Sequence, residues 1–584
     1  MSIDDAVPTD EAVPTDEAVN TDAPDAPAPG APAAAPAGRR DRIRRTARWA
    51  ATIGAALLLL FALVVPNQLA RISPWSFLRI PVEGLIVGAL VLTLPPRLRR
   101  PVAIIFGVFL GLLTVVKFVD MGFYETLDRP FDPVLDWILL GDAVDFVRRS
   151  YGGAGAVVAV VLAGVLVVGL VVLMALSALR LTRLAAGHRT AAIRTVAGIG
   201  VAWLVCTGLG AQILPGVPVA SGSAAVLAYD RLHQVRQGLH DRELFANEAK
   251  VDAFRGTPGN QLLTALRGKD VMVTFVESYG RVALEDPQYA PQMGALLAAG
   301  DRSLNAAGYH ARSGWLTSPT FGGGSWLAHS TLLSGLWIDN QQRYRDLLAS
   351  DRLTLNRAFR TASWRTVGVE PAVFGVWPEG AFYGYNQLYT VRNLGYRGPL
   401  FNFASIPDQF TLSSFQRNER TLPHDPLMAE IVLLSSHAPW APLPHLLDWN
   451  TLGNGKVYTG MPEAGESPDV VSRSRDRVRA AYLHSIEYSV STLISYVRTY
   501  GTDNLVLVFL GDHQPAPVVS GEGASRDVPI TIVAHDPAVL DRIAGWGWQD
   551  GLNPGAQAPV WRMDAFRDRF LTAFGSTPAT PPAR

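Results

Sequence analysis

The first 214 residues of this 584-residue chain contain five apolar runs, and this pattern constrains the fold more than any other feature. The runs lie near residues 50–65, 77–94, 102–119, 156–176 and 191–214. A helix needs roughly 20 predominantly apolar residues to cross a bilayer, and these runs are close to that length. We therefore predict a transmembrane domain of five helices over residues 47–214.

The placement of arginine residues predicts how these helices are oriented. Arginines cluster at 39–48 before the first run, at 97–100 after the second and at 180–189 after the fourth. With five crossings all three clusters lie on one side, which the positive-inside rule identifies as cytoplasmic. The N-terminus is then cytoplasmic and the chain beyond residue 214 is extracytoplasmic, in a multi-pass protein of the cytoplasmic membrane. An even number of crossings, with one run forming a buried soluble helix, would place the second half in the cytoplasm.

The remaining segments differ in composition. Residues 1–46 are rich in Asp, Glu, Pro and Ala and end in the basic cluster, which predicts a disordered cytoplasmic tail. We interpret residues 215–269 as a helix-prone juxtamembrane linker, 270–575 as an extracytoplasmic catalytic domain and 576–584 as a second disordered tail. The single cysteine, Cys206, excludes an intramolecular disulfide and a thiolate zinc cluster. The formal net charge of zero and the lack of a basic, aromatic-rich stretch exclude a nucleic-acid partner.

Short, wholly apolar runs in the second half predict strands that are buried on both faces. These runs are VMVTFV, TVGV, IVLL, LVLVFL and PITIV, and helix-forming segments separate them. The alternation predicts an α/β sandwich with a largely parallel central sheet. In such sheets ligands bind beyond the carboxyl ends of the strands, so the residues that follow the runs form the candidate site.

Three of these runs are followed by side chains that bind metals or phosphate. Glu277 follows VMVTFV, Asp512 and His513 follow LVLVFL after one glycine, and His437 follows IVLL in a short loop. Two carboxylates and an imidazole at strand ends suit a divalent metal ion. Each residue alone also fits a solvated strand cap or a polar turn, so the prediction depends on their combination.

A glycine-rich segment supplies a candidate nucleophile. In TSPTFGGGSWLAHS (317–330), three glycines precede Ser325, which stands at the N-terminus of a predicted helix. A helix N-terminus stabilises negative charge, both on a serine alkoxide and on a bound phosphoryl group. A metal held by Glu277, Asp512 and His513 would take Ser325 as its fourth ligand and activate it. An ordinary N-cap serine beside loop glycines is the alternative interpretation.

The order of these elements resembles the lipoteichoic acid synthases of the sulfatase-like, alkaline-phosphatase superfamily, and is similar to phosphoethanolamine transferases. The shared order is a strand ending in Glu277, a glycine-rich loop with a hydroxyl at a helix start, a strand followed by His437, and a strand followed by Gly-Asp-His. The resemblance covers the chain except its N-terminal tail. It implies that Glu277, Ser325, Asp512 and His513 hold one divalent ion, Mn²⁺ or Zn²⁺ rather than Mg²⁺, with Ser325 as nucleophile.

The resemblance also implies that His437 contacts the substrate or the leaving group. We further predict substrate contacts for Gly324 and Trp326, which flank Ser325, and for Tyr383. The chain departs from the family pattern at two points. The transferases have threonine where Ser325 stands, and the Trp-x-Arg phosphate-binding motif of the synthases has no arginine in the corresponding stretch here, FYGYN.

The predicted function is the transfer of a phospho-head-group, of the glycerol-phosphate or phosphoethanolamine type, from a membrane phospholipid to an envelope polymer, glycan or lipid. The transfer would pass through a covalent intermediate on Ser325. A second interpretation is a phosphodiesterase or sulfatase, in which water replaces the acceptor. Formylglycine sulfatases continue with x-Pro-x-Arg after the reactive residue, whereas Trp-Leu-Ala-His follows Ser325, and this argues against a sulfatase. A third interpretation is a non-catalytic envelope protein that binds a glycan or a partner.

Overall fold

The computed structural model describes residues 39–214, 217–375, 377–402, 405–421 and 423–576. Residues 1–38 of the predicted N-terminal tail and residues 577–584 of the predicted C-terminal tail lie outside this description. The chain divides into two compact units, Met1–Gly54 and Ala55–Arg584, and the described part of the first is the beginning of one helix. That helix begins at Arg39, so the basic cluster at the end of the predicted disordered tail is helical.

Six helices of the described chain precede the soluble domain. They are α1 (Arg39–Val64), α2 (Val82–Thr93), α3 (Pro96–Leu127), α4 (Trp137–Gly187), α5 (Arg189–Gly208) and α6 (Ser223–Lys250). Four stretches are long and apolar enough to cross a membrane: Arg42–Val64 of α1, the whole of α3, Gly152–Gly187 of α4 and the whole of α5. The helical path of α4 breaks at Gly152, where φ is 78°.

The second predicted span is the exception. α2 has 12 residues, which is about 18 Å at 1.5 Å per residue, against the roughly 30 Å of a bilayer core. The apolar residues before it form a 3₁₀ turn (Pro74–Leu78) and a short strand, β1 (Ile80–Pro81), and two prolines at 95 and 96 follow it. The predicted count of five spanning helices is therefore not confirmed, because four helices reach spanning length.

α2 nevertheless lies beside α5 and points in the opposite direction, so that α2 ends where α5 begins. The short strands β2 (Gln212–Leu214), β3 (Val217–Pro218) and β4 (Ala220–Ser221) follow α5. β1, at the start of α2, pairs in parallel with β4. At the other end of α2, the carbonyl oxygen of Leu92 accepts a hydrogen bond from Arg189, the first residue of α5, at 3.3 Å. The chain therefore crosses the layer formed by the N-terminal helices in one direction along α2 and in the opposite direction along α5.

The soluble domain is built around a nine-stranded sheet. Its strands are β5 (Asp270–Val276), β6 (His310–Thr317), β7 (Arg365–Glu370), β8 (Gln387–Thr390), β9 (Leu427–Leu433), β10 (Leu505–Gly511), β11 (Asp527–Ala534), β12 (Gln549–Asp550) and β13 (Val560–Arg562). Their spatial order is β12-β6-β11-β10-β5-β9-β7-β8, with β13 beside β6. β10, β5, β9, β7 and β8 run parallel, whereas β11 runs antiparallel to both of its neighbours. The predicted α/β fold with a largely parallel sheet is confirmed.

Helices cover both faces of this sheet. They are α7 (Val282–Glu285), α8 (Ala290–Ala306), α9 (Ser325–Ser334), α10 (Gln341–Leu348), α11 (Leu355–Thr361), α12 (Gly380–Tyr383), α13 (Asp408–Phe415), α14 (Met461–Ala464), α15 (Pro468–Val471), α16 (Arg475–Tyr500), α17 (Pro517–Ser520), α18 (Pro537–Asp541) and α19 (Ala565–Phe574). Side chains alternate along a strand, so β5 contributes Met272 and Val276 to one apolar core and Val271, Val273 and Phe275 to the other. This double burial explains why the apolar runs predict the central strands.

The second half of the predicted linker, residues 215–269, is part of the soluble fold. Phe245 of α6 is fully buried in the core that also holds α19. Beyond α6, the carboxylate of Asp252 accepts two hydrogen bonds from Arg567 of α19, both at 3.1 Å, and lies 3.4 Å from Arg352. Burial alone would raise the pKa of Asp252, but the two guanidinium groups hold it below its usual value. A buried network therefore ties the helix that leaves the membrane sector to the end of the domain.

We predict that Asp252→Ala destabilises the soluble domain by about 3–5 kcal/mol, because it removes the buried carboxylate shared by Arg352 and Arg567 and leaves Arg567 only the partly exposed Asp568 as counter-charge. Thermal unfolding of the detergent-solubilised full chain, followed by circular dichroism, measures the effect as a large drop in Tm. Asp351→Ala is the matched control, since Asp351 pairs with Arg255 at the surface and its loss should cost about 1 kcal/mol or less. Equal Tm values for the two variants would contradict the prediction.

Candidate active site

Strand register brings two predicted ligand residues to the same level. β10 pairs with β5 so that Gly511 lies opposite Val276, and β5 pairs with β9 so that Val276 lies opposite Leu433. The next residues, Glu277 after β5 and Asp512 after β10, therefore leave the sheet side by side at its carboxyl edge. This is the edge at which parallel α/β sheets bind ligands.

Ser325 reaches the same edge through the glycine-rich loop. Phe321 of this loop forms an isolated β-bridge with Gln514, which follows Asp512 and His513. Gly324 then adopts a left-handed conformation with φ 79°, and α9 begins at Ser325. The predicted helix N-terminus at the serine is therefore present, and the bridge holds it beside the end of β10.

The side chains of these residues converge. Ser325 Oγ lies 2.9 Å from Glu277 Oε2 and 3.2 Å from His513 Nε2, and His513 Nε2 lies 3.2 Å from Glu277 Oε1. One donor atom each from Glu277, Asp512 and His513 lies within 4.8 Å of the other two, and all three residues are buried. Ligand bonds of 2.0–2.2 Å in a tetrahedral site place ligand atoms about 3.4 Å apart, so this spacing fits a divalent ion.

The hydrogen bonding of Asp512 also fits a cation. Its Oδ1 accepts hydrogen bonds from the backbone N–H groups of Ser278 (2.8 Å) and His513 (2.7 Å). Its Oδ2 is buried and has no hydrogen-bond partner within the described part of the chain. A buried, unpartnered carboxylate oxygen is costly, and a metal ion at this point would remove the cost.

The electrostatics keep the carboxylate charged. Burial opposes ionisation of Glu277, but the nearby His513 and His437 hold its pKa well below the usual value. Burial likewise lowers the pKa of His513, but the two carboxylates of Asp512 and Glu277 outweigh it and raise that pKa to about 9. Without a metal, a proton on His513 therefore partly neutralises the cluster.

The orientation of His513 suits a metal ligand. Its Nδ1 lies 2.8 Å from the carbonyl oxygen of Gln514, which can only accept, so Nδ1 carries a proton. In the neutral ring the lone pair is then on Nε2, the atom that faces Glu277 and Ser325. A backbone carbonyl that fixes the tautomer in this way is typical of metal-binding histidines.

His329 is a member of the site that sequence patterning does not reveal. It lies on α9 one turn beyond Ser325, is 8% exposed and stacks on Phe275 with ring centroids 3.9 Å apart. Its Nε2 lies 3.8 Å from Asp512 Oδ2, and neither atom has a hydrogen-bond partner among the described residues. The helical spacing of four residues was the available signal, because residues i and i+4 share a helix face.

The predicted substrate-binding residues occupy different environments. His437 lies near Glu277, whose pKa its charge lowers, and its Nδ1 faces the carbonyl oxygen of Ala438 at 2.6 Å. Gly324 and Trp326 line a cavity of about 200 Å³ next to the loop, and Trp326 Nε1 donates to a side chain of α10 at 3.0 Å. These three residues therefore border the Ser325 region.

Tyr383 is the exception among them. It is 3% exposed, and its hydroxyl bonds Ser330 of α9 at 2.7 Å, more than one turn beyond Ser325. Burial raises the pKa of Tyr383 well above its usual value. The structure therefore does not bring Tyr383 to the residues that surround Ser325, and its contacts are those of a core side chain.

The glycines have a role that the sequence does not predict. A Cβ at Gly322, where φ is 70°, would overlap the carbonyl oxygen of Thr126 near the end of α3. Gly322 therefore allows the backbone of the loop to approach the backbone of the membrane sector closely. The loop that carries Ser325 is consequently packed between the end of β10 and the end of a helix long enough to cross a membrane.

We predict that metal affinity rises with pH up to about 9, because the ion must displace the proton that the two carboxylates stabilise on His513. Each pH unit below 9 should weaken the apparent affinity by about tenfold, with release of about one proton per ion. Calorimetric titration with Mn²⁺ or Zn²⁺ at pH 7, in two buffers of different ionisation enthalpy, counts this proton. An affinity that stays constant from pH 7 to 9 would refute the prediction.

Carboxylate variants test the same centre. Asp512→Ala and Glu277→Ala should lose the bound ion while the far-UV circular dichroism stays unchanged. Asp503→Ala is the matched control, because this exposed carboxylate lies at the opposite end of β10. Full metal retention in both site variants would place the ion elsewhere.

No protein-family model matches this chain, and no curated protein matches it. Among solved structures, the chain is similar to the lipoteichoic acid synthase LtaP from Listeria monocytogenes, with 13% identity over 53% of this chain and 73% of that one and a TM-score of 0.34. It is also similar to the phosphoglycerol transferase GacH from Streptococcus pyogenes (11% identity, 59% and 88% covered, TM-score 0.34). A third is the soluble domain of lipooligosaccharide phosphoethanolamine transferase A from Neisseria meningitidis (14%, 54% and 92%, 0.34). These names include both families that the sequence motifs resemble.

Proposed function

We propose that this chain is a membrane-anchored, metal-dependent transferase that moves a phospho-head-group from a membrane phospholipid to an envelope acceptor through Ser325. The observation that carries the proposal is the position of the Ser325 hydroxyl. It lies within hydrogen-bond distance of both Glu277 and His513, in a cluster that also contains the unpartnered oxygen of Asp512. A solvated N-cap serine would not share a buried site with three metal-type side chains.

The residues of this site have separate roles in the proposed reaction. Glu277, Asp512, His513 and Ser325 would hold one divalent ion, which when bound makes the serine hydroxyl more acidic. The imidazole ligand favours Mn²⁺ or Zn²⁺ over Mg²⁺. The N-terminus of α9 stabilises negative charge on Ser325 Oγ and on a phosphoryl group attached to it.

The transfer consists of two displacements at phosphorus. In the first, Ser325 Oγ releases its proton to water and forms a bond to the donor phosphorus, while the bond from phosphorus to the diacylglycerol oxygen breaks. His437, beside Glu277, supplies a proton to that leaving oxygen. In the second, an acceptor hydroxyl of a polymer, glycan or lipid attacks the phosphoserine and gives its proton to His437, while the bond from phosphorus to Ser325 Oγ breaks and the serine takes a proton back from water.

A hydrolase is the second candidate, because water could replace the acceptor in the second displacement. The sulfatase version is disfavoured by the residues after Ser325, since Trp-Leu-Ala-His lacks the proline and arginine that formylglycine formation requires. The packing of the loop against the membrane sector supports a donor that resides in the membrane. A phospholipid donor therefore fits this chain better than a soluble ester.

The proposed topology places the soluble domain outside the cytoplasmic membrane. α2 and α5 run in opposite directions through the layer of N-terminal helices. The arginine clusters at 97–100 and 180–189 lie at the side of this layer where α2 ends and α5 begins. Because α2 carries the chain across this layer despite its short length, both arginine clusters lie on the side away from the soluble domain. The positive-inside rule then supports a cytoplasmic arginine face and an extracytoplasmic catalytic domain.

We predict that Ser325→Ala abolishes turnover and the covalent intermediate, because among the residues that the structure describes no other hydroxyl combines the ligand cluster with a helix N-terminus. The full chain, incubated in detergent with metal and phosphatidylglycerol or phosphatidylethanolamine and then quenched, should carry the head-group mass on the peptide that contains Ser325. Ser325→Thr should keep part of the activity, since it preserves the hydroxyl. An adduct on Thr320 or Ser330, or an active Ser325→Ala protein, would show that the nucleophile is another residue.

The topology is tested by proteolysis. Protease added to intact spheroplasts should cleave the chain beyond residue 214 and leave a cytoplasmic marker protein intact. Cleavage of the domain only after permeabilisation would mean that it is cytoplasmic, and would exclude an envelope acceptor.

A further inference from the structure

A cavity of about 200 Å³ lies between the loop that carries Ser325 and the segment that follows α3. Gly323, Gly324 and Trp326 line one wall, and Leu127 and Arg129 line the other. A water molecule occupies about 30 Å³ in the liquid, so the cavity can hold a small polar head-group. Because α3 is long and apolar enough to cross a membrane, the cavity lies between the membrane side of the domain and the two residues that flank Ser325, Gly324 and Trp326.

Arg526 enters this cavity from the sheet. β11 runs antiparallel to β10, so the start of β11, and Arg526 just before it, lies at the edge where β10 and β5 end. Its Nη1 donates to the carbonyl oxygen of Pro319 at 2.7 Å. Burial and the nearby Arg129 lower the pKa of Arg526, but a guanidinium stays charged at physiological pH.

The charge of Arg526 lacks a direct counter-ion. Among the described residues, no carboxylate forms an ion pair with it within 4.0 Å. Of the carboxylates that line the cavity, Asp136 binds Arg129 through two hydrogen bonds of 2.6 and 2.8 Å, and Asp339 accepts hydrogen bonds from two neighbouring side chains. The charges of Asp128 and Asp339 both act to raise the pKa of Arg526, but neither carboxylate forms an ion pair with it within 4.0 Å. The cavity therefore contains a half-buried cation with free donor groups.

We propose that Arg526, with Arg129 as its neighbouring cation, binds the phosphodiester of a glycerophospholipid donor in this cavity and presents it to Ser325. The planar guanidinium matches two phosphate oxygens, while the apolar side chains of Leu127 and Trp326 accommodate the glycerol and the first acyl carbons. The proposal rests on the proposed function.

Binding is measured in the Ser325→Ala background, so that no turnover occurs. The metal-loaded full chain in maltoside micelles is titrated with dihexanoyl-phosphatidylglycerol, and with dihexanoylglycerol as the probe without phosphate. We expect the additional Arg526→Gln change to weaken phospholipid binding by about tenfold or more, which is about 1.4 kcal/mol per factor of ten. Binding of the phosphate-free probe should not change. Arg526→Lys keeps the positive charge but loses the planar guanidinium, and should give an intermediate phospholipid affinity.

Arg302→Gln is the matched control, because this arginine is exposed on α8 and should bind the phospholipid like the parent. Metal content and Tm of every variant show whether the fold is kept. Equal phospholipid affinities for the parent, Arg526→Gln and Arg526→Lys would overturn the proposal. If Arg526→Gln unfolds, the titration of Arg526→Lys provides the test. A phospholipid affinity of Arg526→Lys equal to that of the parent would refute the role of the planar guanidinium.

A third probe separates the two sources of phosphate. sn-Glycerol-1-phosphate should bind more weakly than the phospholipid, and equal, Arg526-dependent affinities would overturn the assignment to a lipid. The binding assay also separates this site from the proposed function. Arg526-dependent binding without any turnover by the wild-type protein would refute the transferase and keep the site, whereas normal turnover by Arg526→Gln would refute the site and keep the transferase.

Discussion

The site depends on the two backbone hydrogen bonds that Asp512 Oδ1 accepts from Ser278 and His513. The bond from Ser278 joins the end of β5 to the end of β10, so main chain fixes the carboxylate of Asp512, whereas that of Glu277 accepts hydrogen bonds from the hydroxyls of Ser278 and Ser325. The same bonds occupy one oxygen of Asp512 and leave the other, Oδ2, facing His329 and His513. The arrangement that completes the sheet edge thus also creates the unsatisfied oxygen that a cation would bind.

The glycine-rich loop adds a second constraint, because it is packed on two sides. The β-bridge between Phe321 and Gln514 fixes it to β10, and the backbone of Gly322 touches the end of α3. A displacement of α3 would therefore move the loop, and with it Ser325. The membrane sector is in this sense part of the scaffold of the site as well as an anchor.

The buried strands and their terminal residues could be predicted from the sequence, because continuous apolar runs mark strands that are covered on both faces. Glu277, Asp512 and His513 follow such runs and meet as predicted. Arg526 could not be found in this way, since it precedes its strand and reaches the site only because β11 is antiparallel. His329 lies within the helix α9, and only its spacing of four residues from Ser325 indicates that it shares the face of the serine.

The length of α2 and the role of Asp252 were missed for related reasons. The apolar run at 77–94 has spanning length, but its first residues form a 3₁₀ turn and a strand that pairs with distant residues. Asp252 lies in a polar stretch of sequence, and only the fold places it between Arg352 and Arg567. Pairing across hundreds of residues leaves no local signal.

Charge balance explains why a site with these ligands needs cations from other elements. Two carboxylates and a divalent ion, with His513 neutral, would sum to zero, so Ser325 would face an anionic phosphodiester without net repulsion but also without net attraction. Ionisation of the serine would add a negative charge, and the phosphoryl group brings another. The N-terminus of α9 offsets part of this charge through its backbone dipoles. In the proposed reaction, His437 beside Glu277 and Arg526 in the cavity beside Gly324 and Trp326 would offset part of the rest, the first at the leaving oxygen and the second at the incoming phosphate.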